Sequence, residues 1–317
     1  MADKPVIADS LVIEEIDQIH KVVGQQPLQI SVDPASFTSQ GHPIKEISKT
    51  GQFTVLHGKY IYNFARKDVE TQIESLVQEI EWANAIGCDV VIHQGKNIAT
   101  EKMSKLEAIN NYVRNLSEVI ERTFDSSSML LLENSAGQGT ELGYTLDELS
   151  YIYHQFDDTV RERIGFCIDT CHIFVAGELD VRVKDEVVNF FERFNQMIGG
   201  DKLKCIHFND SGVPFGGKHD VHGDLFGGYI SNPLLGGNPD GLKAVAKMAA
   251  KLQIPLVFET PYLVRDRVPD QVNYQHMLIE SWVNDVPKAN LAEISQMIMK
   301  YSMDLYRPKK KVVIKRK

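Results

Sequence analysis

The chain has 317 residues, of which 43% are hydrophobic and 24% charged, a composition typical of a folded globular protein and too long for a minimal domain. No apolar run is long enough to span a bilayer and no charged-then-apolar leader is present, which argues against membrane-spanning and secreted proteins. We therefore expect an intracellular protein, cytoplasmic or nuclear, with no membrane partner. The formal net charge of −9 argues against nonspecific coating of DNA, but it is compatible with DNA held at one local face.

Short apolar runs typical of strands alternate with longer stretches of helical periodicity. Eight strands are predicted, at 6–9, 28–32, 53–56, 89–93, 129–133, 164–169, 204–208 and 255–259. Helices are predicted at 11–23, 69–86, 103–124, 145–156, 184–198, 240–252 and 272–283, with at most one short helix in 33–50. Eight such βα units predict an α/β fold, a closed (β/α)8 TIM barrel. We expect a single barrel domain over residues 1–285, a helical extension over 286–306 and a disordered basic tail over 307–317.

The basic tail differs sharply in charge from the rest of the chain. Seven of the 34 basic residues lie in 307–317, which contains no acid, so 27 basic residues face 43 acidic ones elsewhere. The simplest interpretation is a solvated extension. The functional alternatives are a segment that tethers DNA and a nuclear-import signal.

The four cysteines indicate a reducing compartment. They form no CxxC pair and no short disulfide framework, and they stand at Cys88, Cys167, Cys171 and Cys205. Three of them flank candidate metal ligands. We expect these thiols to pack as small apolar side chains rather than to bind metal.

Residues able to bind metal end or closely follow most of the predicted strands. They are His57, His93, Glu133, Asp169, His207 and Glu259, and His172, Asp220 and His222 join them from the loops that follow. In a parallel barrel the carboxyl ends of all strands share one rim, where active sites are built. Four carboxylates crowded there would repel one another and take up protons unless cations were present. Nine N and O ligands exceed the need of one tetrahedral ion and suit two or three. Three divalent ions beside four carboxylates would leave a net positive charge of about +2, which favours binding and hydrolysis of an anionic phosphodiester.

The loop that carries two of these ligands is unusually long for a βα connection. Residues 210–239 contain eight glycines. Either a mobile linker or a structured loop of the site would explain them.

Six sequence motifs resemble, in order, those of the endonuclease IV family of apurinic/apyrimidinic endonucleases. They are His57-Gly-Lys-Tyr60-Ile-Tyr-Asn63, Leu132-Glu133-Asn134-Ser-Ala-Gly-Gln138-Gly, Gly165-Phe-Cys-Ile-Asp169-Thr-Cys-His172, His207-Phe-Asn209-Asp210-Ser, Asp220-Val-His222 and Phe258-Glu259-Thr-Pro261. The resemblance extends from about residue 28 to residue 261.

The resemblance implies a DNA repair enzyme with three zinc ions. His57 and His93 would hold the first ion, and Glu133 would bridge it to a second held by Asp169, His207 and Glu259. His172, Asp220 and His222 would hold the third. Glu133, Asp169 and Glu259 would be the catalytic carboxylates. The ligand types also fit manganese or iron.

The family resemblance also implies a substrate. It is double-stranded DNA containing abasic sites, cut on the 5′ side to leave a 3′-hydroxyl, with trimming of blocked 3′ ends. The DNA would be bent and the abasic sugar turned into the metal pocket. Tyr60 is the candidate DNA contact, and packing on the barrel rim is its alternative role. We expect a monomer.

Four features depart from the family pattern. Ala35 stands near the position of an inserted arginine, and Phe226 stands where a glycine is expected. The first strand lacks a glycine-rich opening, and His219 lies outside the motif, where we interpret it as a loop residue.

Two other functions compete with this interpretation. A sugar isomerase or epimerase on a related metal barrel would share rim carboxylates and histidines, but it would need fewer metal ligands, so the third group of His172, Asp220 and His222 separates the two functions. A DNA-binding barrel without catalysis would bind abasic DNA and not cut it.

Overall fold

The computed structural model describes residues 5–12, 28–31, 54–261, 271–287 and 289–306. Its strands are β1 (Ile7–Val12), β2 (Leu28–Ser31), β3 (Thr54–His57), β4 (Asp89–His93), β5 (Leu130–Glu133), β6 (Ile164–Asp169), β7 (Leu203–His207), β8 (Asp210–Ser211), β9 (His222–Gly223) and β10 (Leu256–Phe258). All except β8 and β9 form one closed parallel barrel, in the order β1-β10-β7-β6-β5-β4-β3-β2. The predicted (β/α)8 barrel is confirmed.

Helices connect the barrel strands and cover them. They are α1 (Glu70–Ile86), α2 (Lys105–Arg122), α3 (Leu146–Gln155), α4 (Asp158–Glu162), α5 (Thr170–Ala176), α6 (Lys184–Met197), α7 (Asp240–Leu252), α8 (Gln271–Asn284) and α9 (Ala289–Tyr306). Short 3-10 turns lie at Ala99–Glu101, Gly200–Lys202 and Pro233–Leu235. Helix α2 begins with a capping box, in which the Ser104 hydroxyl and the Glu107 carboxylate each accept a hydrogen bond from the other residue's backbone N–H.

Some predicted boundaries differ from the structure. Strand β1 continues to Val12, so the helix predicted to start at residue 11 is wrong at its first two residues, and the rest of 11–23 lies outside the described residues. Strand β7 begins and ends one residue earlier than predicted. The segments 33–50 and 307–317, with the predictions made for them, also lie outside the described residues.

The barrel interior is a small apolar cluster below the rim. Its members are Ala8, Val55, Val91, Leu131, Cys167, Cys205 and Val257. Side chains alternate across a strand, so the residue two positions further on faces the same side. Six of these seven residues are followed at that spacing by His57, His93, Glu133, Asp169, His207 and Glu259. Six candidate metal ligands therefore form the layer directly above the apolar interior.

Strand register brings these ligands level with one another. His93 pairs with Glu133 across β4 and β5, and Asp169 pairs with His207 across β6 and β7. The register of the parallel strands thus places these ligands at the same height in the barrel, independently of contacts between their side chains.

The glycine-rich connection 210–239 is a structured loop. Strands β8 and β9 pair antiparallel, and β9 carries His222. The buried carboxylate of Asp210 accepts hydrogen bonds from the backbone N–H groups of Ser211, Ile230 and Ser231 at 2.6, 2.8 and 3.0 Å, and also from the Ser231 hydroxyl. Of the two interpretations of this loop, the structured one is confirmed.

Helix α9 packs on the barrel and ends at its rim. The Tyr274 and Ser295 hydroxyls, 2.6 Å apart, join α8 to α9. At the end of α9 the Tyr306 hydroxyl donates a hydrogen bond to the His222 carbonyl at 3.4 Å. Among the described residues, no helix has both the length and the apolar character needed to cross a membrane.

Candidate metal centre

All nine predicted ligands meet at the carboxyl end of the barrel. The first group is His57, His93 and Glu133, whose ligand atoms lie within 4.8 Å of one another. The Glu133 Oε2 atom is 3.5 Å from His57 Nε2 and 3.8 Å from His93 Nδ1. These separations leave room for a cation between the three side chains.

The second group surrounds the Nδ1 atom of His207. This nitrogen is 3.0 Å from Glu133 Oε1, 3.1 Å from Glu259 Oε2 and 3.8 Å from Asp169 Oδ2. Glu133 therefore belongs to the first and second groups at once, as a bridging ligand must.

The third group lies at the more exposed side of the rim. Asp220 Oδ1 is 3.2 Å from the Nε2 atoms of both His172 and His222. His222 Nε2 is also 3.5 Å from Asp169 Oδ2, so Asp169 connects the second and third groups. Asp220 retains 42% of its side-chain exposure, whereas His172 is buried.

His172 lies on a helix and not on a loop, which corrects the sequence prediction. The Asp169 carboxylate accepts a hydrogen bond from the His172 N–H at 2.8 Å and so caps α5. The helix can therefore start directly after β6, and one carboxylate both begins the helix and borders the metal site.

Backbone carbonyls orient three of the histidines. His57 Nδ1 donates to the Gly58 carbonyl at 2.7 Å, His172 Nδ1 to the Asn134 carbonyl at 2.9 Å, and His222 Nδ1 to the Glu259 carbonyl at 3.2 Å. A carbonyl oxygen can only accept, so each Nδ1 carries a proton and Nε2 is the nitrogen that faces the carboxylates. This is the arrangement that metal-ligating histidines usually have.

Buried charges in the centre shift one another's pKa values. Burial lowers the pKa of His93 to about 4 and raises that of Asp169. For His207, burial is outweighed by the carboxylates of Glu259 and Glu133, which raise its pKa well above the ordinary value. Conversely, His207 keeps the pKa of Glu133 well below its usual range despite burial. Imidazole protons therefore balance the carboxylates in the protein alone, and divalent cations can take over that role when the protons leave.

One buried atom of the first group supports the fit to a cation. Among the described residues, Glu133 Oε2 has no hydrogen-bond partner, and it is the atom that His57 Nε2 and His93 Nδ1 both face. An unpaired buried carboxylate oxygen is costly, and coordination to a metal between the three side chains would satisfy it. The nitrogen and oxygen donors suit zinc, and equally manganese or iron.

Two buried amides, Asn134 and Asn209, lie in the sequence motifs but had no predicted role. Asn209 donates from Nδ2 to Asp169 Oδ2 at 2.7 Å and accepts from the Glu259 N–H at 2.9 Å. Asn134 accepts from the Asp169 N–H at 2.7 Å. Both amides are buried; they hold the backbone of Asp169 and Glu259, and Asn209 also holds the Asp169 carboxylate. Their place beside ligands in two motifs was the available signal.

The cysteines near the centre are buried thiols. Cys167 and Cys205 belong to the apolar interior, and burial raises the pKa of Cys167 well above its usual value. Because metal binding requires the thiolate, these residues suit packing better than ligation.

A cleft of about 410 Å³ opens beside the first and third groups and contains Lys96 in its lining. Tyr60 stacks on His57 with ring centroids 4.8 Å apart, yet its side chain is 67% exposed. Ile61, the next residue, has the same exposed fraction, and no sequence pattern distinguishes it. Two large apolar side chains thus project from the rim directly above the candidate metals.

Comparison with known proteins assigns the family. A family model described as "Xylose isomerase-like TIM barrel" matches residues 42–262. A "Putative endonuclease 4" of Acanthamoeba polyphaga mimivirus is 37% identical over 249 residues, covering 75% of this chain and 77% of the relative. A "Probable endonuclease 4" of Staphylococcus carnosus is 31% identical over 245 residues, covering 76% and 77%. The chain belongs to the endonuclease IV family.

Solved structures agree with this endonuclease IV fold. Endonuclease IV from Thermus thermophilus superposes with a TM-score of 0.69 at 22% identity, covering 89% of this chain and 100% of that one. A D-tagatose 3-epimerase-like protein gives a TM-score of 0.66 at 19% identity, covering 90% and 99%. At these identities the likeness concerns the barrel alone, whereas the sequence relatives make this protein an endonuclease, a hydrolase.

One departure from the endonuclease IV pattern has a structural counterpart. Phe226, at an expected glycine, has a φ of 64°, in the left-handed region that favours glycine. Phe226 therefore adopts a backbone conformation typical of glycine although it carries a large side chain. Ala35, the other departure, lies outside the described residues.

Proposed function

We propose that this protein hydrolyses the phosphodiester bond on the 5′ side of abasic sites in double-stranded DNA, leaving a 3′-hydroxyl, and that it trims blocked 3′ ends. The observation that carries the proposal is the set of three adjacent ligand groups joined by Glu133 and Asp169. In a member of the endonuclease IV family, this set supports three zinc ions acting on one phosphate.

The nine ligands fall into the sets expected for three ions, with Asp169 near the third set as well as the second. Bound there, divalent ions would supply hydroxide at neutral pH and neutralise the leaving 3′-oxygen. Glu133 and Asp169 set the spacing of the groups, because each faces two of them. Asn209 holds the Asp169 carboxylate and the backbone N–H of Glu259, which links the positions of these two ligands. A second cleft of about 390 Å³ at the rim is lined by Tyr60, His222 and Glu259, and we assign Glu259 as the acceptor of the proton from the attacking water.

The rim above the ligands is where the DNA would bind. Tyr60 and Ile61 expose apolar surface that could enter a gap in the base stack, as apolar wedges do in bent DNA. An abasic site removes one base, so unstacking costs least there. We propose that Tyr60 contacts the DNA at the lesion and that the enzyme acts as an intracellular monomer.

The proposal is tested by metal analysis and incision of a duplex that contains one abasic site. Protein purified without added metal should carry about three zinc ions per chain, the number of ligand groups. It should cut 5′ to the lesion, and EDTA should abolish the cut. A polymerase should extend the product directly, because a 3′-hydroxyl is left.

A loop histidine provides a matched control for the third group. His222→Ala should reduce incision by at least about 100-fold, because it removes a ligand. His219→Ala changes an exposed histidine of the same loop, outside the ligand groups of the described residues, and should leave incision within about twofold of the wild type. Full incision by the His222 variant, or none by the fully loaded wild type, would refute the proposal.

A sugar isomerase or epimerase remains the competing function, since a neighbour with that name shares the barrel. One or two metal ions per chain, no incision and conversion of a ketose or aldose would favour it. Stable binding of abasic DNA in zinc without any cut would favour a DNA-binding barrel that lacks catalysis.

A further inference from the structure

Gln29 is a fully buried amide inside the barrel and belongs to none of the predicted ligand sets. It lies on β2 and pairs in register with Ser10 of β1 and Val55 of β3. Val55 belongs to the apolar interior, so Gln29 occupies a level of the barrel where other strands present apolar side chains. A buried amide there is costly unless each of its polar atoms is paired.

The amide of Gln29 pairs with two ligands of the second group. Its Oε1 is 2.7 Å from His207 Nε2, and its Nε2 donates to Glu259 Oε1 at 2.6 Å and to Ser10 Oγ at 3.1 Å. The opposite amide orientation would set the Gln29 oxygen against the Glu259 carboxylate, two acceptors in contact. The carboxylate therefore fixes the amide, and the amide oxygen, which only accepts, requires a proton on His207 Nε2.

With Nε2 paired to Gln29, Nδ1 is the nitrogen of His207 that faces the second group and that is available to a metal. That atom faces Glu133, Asp169 and Glu259. His57, His172 and His222 show the reverse pattern, with protonated Nδ1 held by backbone carbonyls. Of these four histidines, His207 is the one whose nitrogen away from the ligand group is paired with a side-chain amide outside the ligand sets, so substitution of that amide can release it.

We propose that Gln29 is a positioning residue for the second ion. It selects the His207 tautomer that ligates through Nδ1, and it orients Glu259 in the same contact. The inference rests on the metal site of the proposed function and deepens it, because it assigns the choice of ligating nitrogen to a residue that binds no metal.

The test compares Gln29→Met with Ser10→Ala and the wild type. Methionine keeps the length of the side chain and removes both hydrogen bonds to the ligands. Ser10→Ala removes another partner of Gln29 and leaves its hydrogen bonds to His207 and Glu259 in place. Zinc per chain is measured by elemental analysis after dialysis against a series of chelator concentrations, with no DNA present. We expect Gln29→Met to lose one ion at about 10- to 100-fold lower chelator activity than the wild type, and Ser10→Ala to match the wild type.

Nitrogen-15 NMR of the zinc-loaded wild type gives an independent measurement that does not depend on any variant. The His207 ring should carry its proton on Nε2 and bind through Nδ1. A proton on Nδ1 would overturn the inference, as would unchanged zinc retention by a folded Gln29→Met protein. Incision is assayed separately: a wild type that binds zinc in this way but does not cut abasic DNA would refute the proposed function and leave the role of Gln29 standing.

Discussion

Phe226 holds a backbone conformation that costs most side chains roughly 1–2 kcal/mol relative to the right-handed form. Its ring lies 6.0 Å from that of Trp282, and its N–H donates to the Ser231 hydroxyl at 2.6 Å. Packing against α8 thus offsets the backbone strain in the loop that carries His222. A glycine there would relieve the strain but could not pack against Trp282.

A pair of substitutions separates these two effects. Phe226→Ala and Phe226→Gly both remove the ring, but only glycine relieves the strain. We expect the glycine variant to be more stable than the alanine variant by about 1 kcal/mol, the reverse of the usual order, in the free energy of unfolding from urea titration. An alanine variant of equal or greater stability would show that φ is not strained in solution.

For individual residues, the type of side chain decided whether the sequence could predict a role in the site. Histidine and carboxylate side chains at several strand ends are unusual enough to suggest a metal site. Gln29 is a common polar residue, and its role depends on which strands face each other across the closed barrel. That relation follows from barrel register and not from neighbours in sequence, so Gln29 could not be assigned in advance, whereas Asn209 stood beside a ligand in its motif.

Helix α1 supports the segment that carries Tyr60 and Ile61. Its buried Glu79 accepts a hydrogen bond from the Tyr62 hydroxyl at 2.8 Å, and burial raises the pKa of this carboxyl to about 7. Gly58 fits tightly here, because a Cβ atom on it would lie 2.9 Å from Ile92 Cγ2. The candidate DNA contacts therefore stand on a segment anchored by one titratable group.

Glu79 predicts a pH dependence of stability. Its pKa is higher in the folded than in the unfolded protein, so the folded state binds more protons between about pH 4.5 and 7, and stability falls as pH rises through that window. Glu79→Gln keeps an acceptor for Tyr62 and removes the titration. Between pH 5 and pH 8, the free energy of unfolding of the variant should rise relative to that of the wild type by up to about 3 kcal/mol. Both are measured by chemical denaturation in EDTA. A constant difference across that range would contradict the assignment.

Elements were predictable where their hydrophobic pattern is long. Helix α7 matches its predicted bounds because Leu242, Val245, Ala246 and Ala249 form one buried stripe. Helices α4 and α5 are too short to show a period, and α5 depends on a cap that also faces the metal site. The sequence therefore predicted the barrel and missed the helix that carries His172.

For the whole molecule, the charge distribution and the end of α9 bear on DNA binding. Tyr306 contacts the His222 carbonyl, and the seven basic residues of 307–317 follow it. These residues lie outside the described part of the chain, but their attachment point is at the candidate DNA-binding rim. The rest of the chain is acidic and would gain little binding energy from contacts with DNA phosphates. Positive charge attached at this rim should therefore strengthen the binding of DNA.

Replacing the seven basic residues of 307–317 by glutamine tests this effect at constant chain length. We expect weaker binding to an abasic duplex and a smaller dependence of log K on log salt, by about 0.9 for each phosphate that the basic residues neutralise in the wild type. Turnover at saturating DNA should not change. A tail with the same charges in scrambled order serves as the control and should bind like the wild type. An unchanged salt dependence would favour an import signal, to be checked by localisation.

The position of Tyr306 also affects how the enzyme can be labelled or immobilised. The first residues of β1 pair with the first residues of β10, at the barrel face opposite the ligand rim. A fluorescent protein or surface linker joined directly after Tyr306 would be attached close to the metal rim, whereas one joined before β1 would start from the far face. Single-molecule work on this enzyme should therefore use amino-terminal attachment.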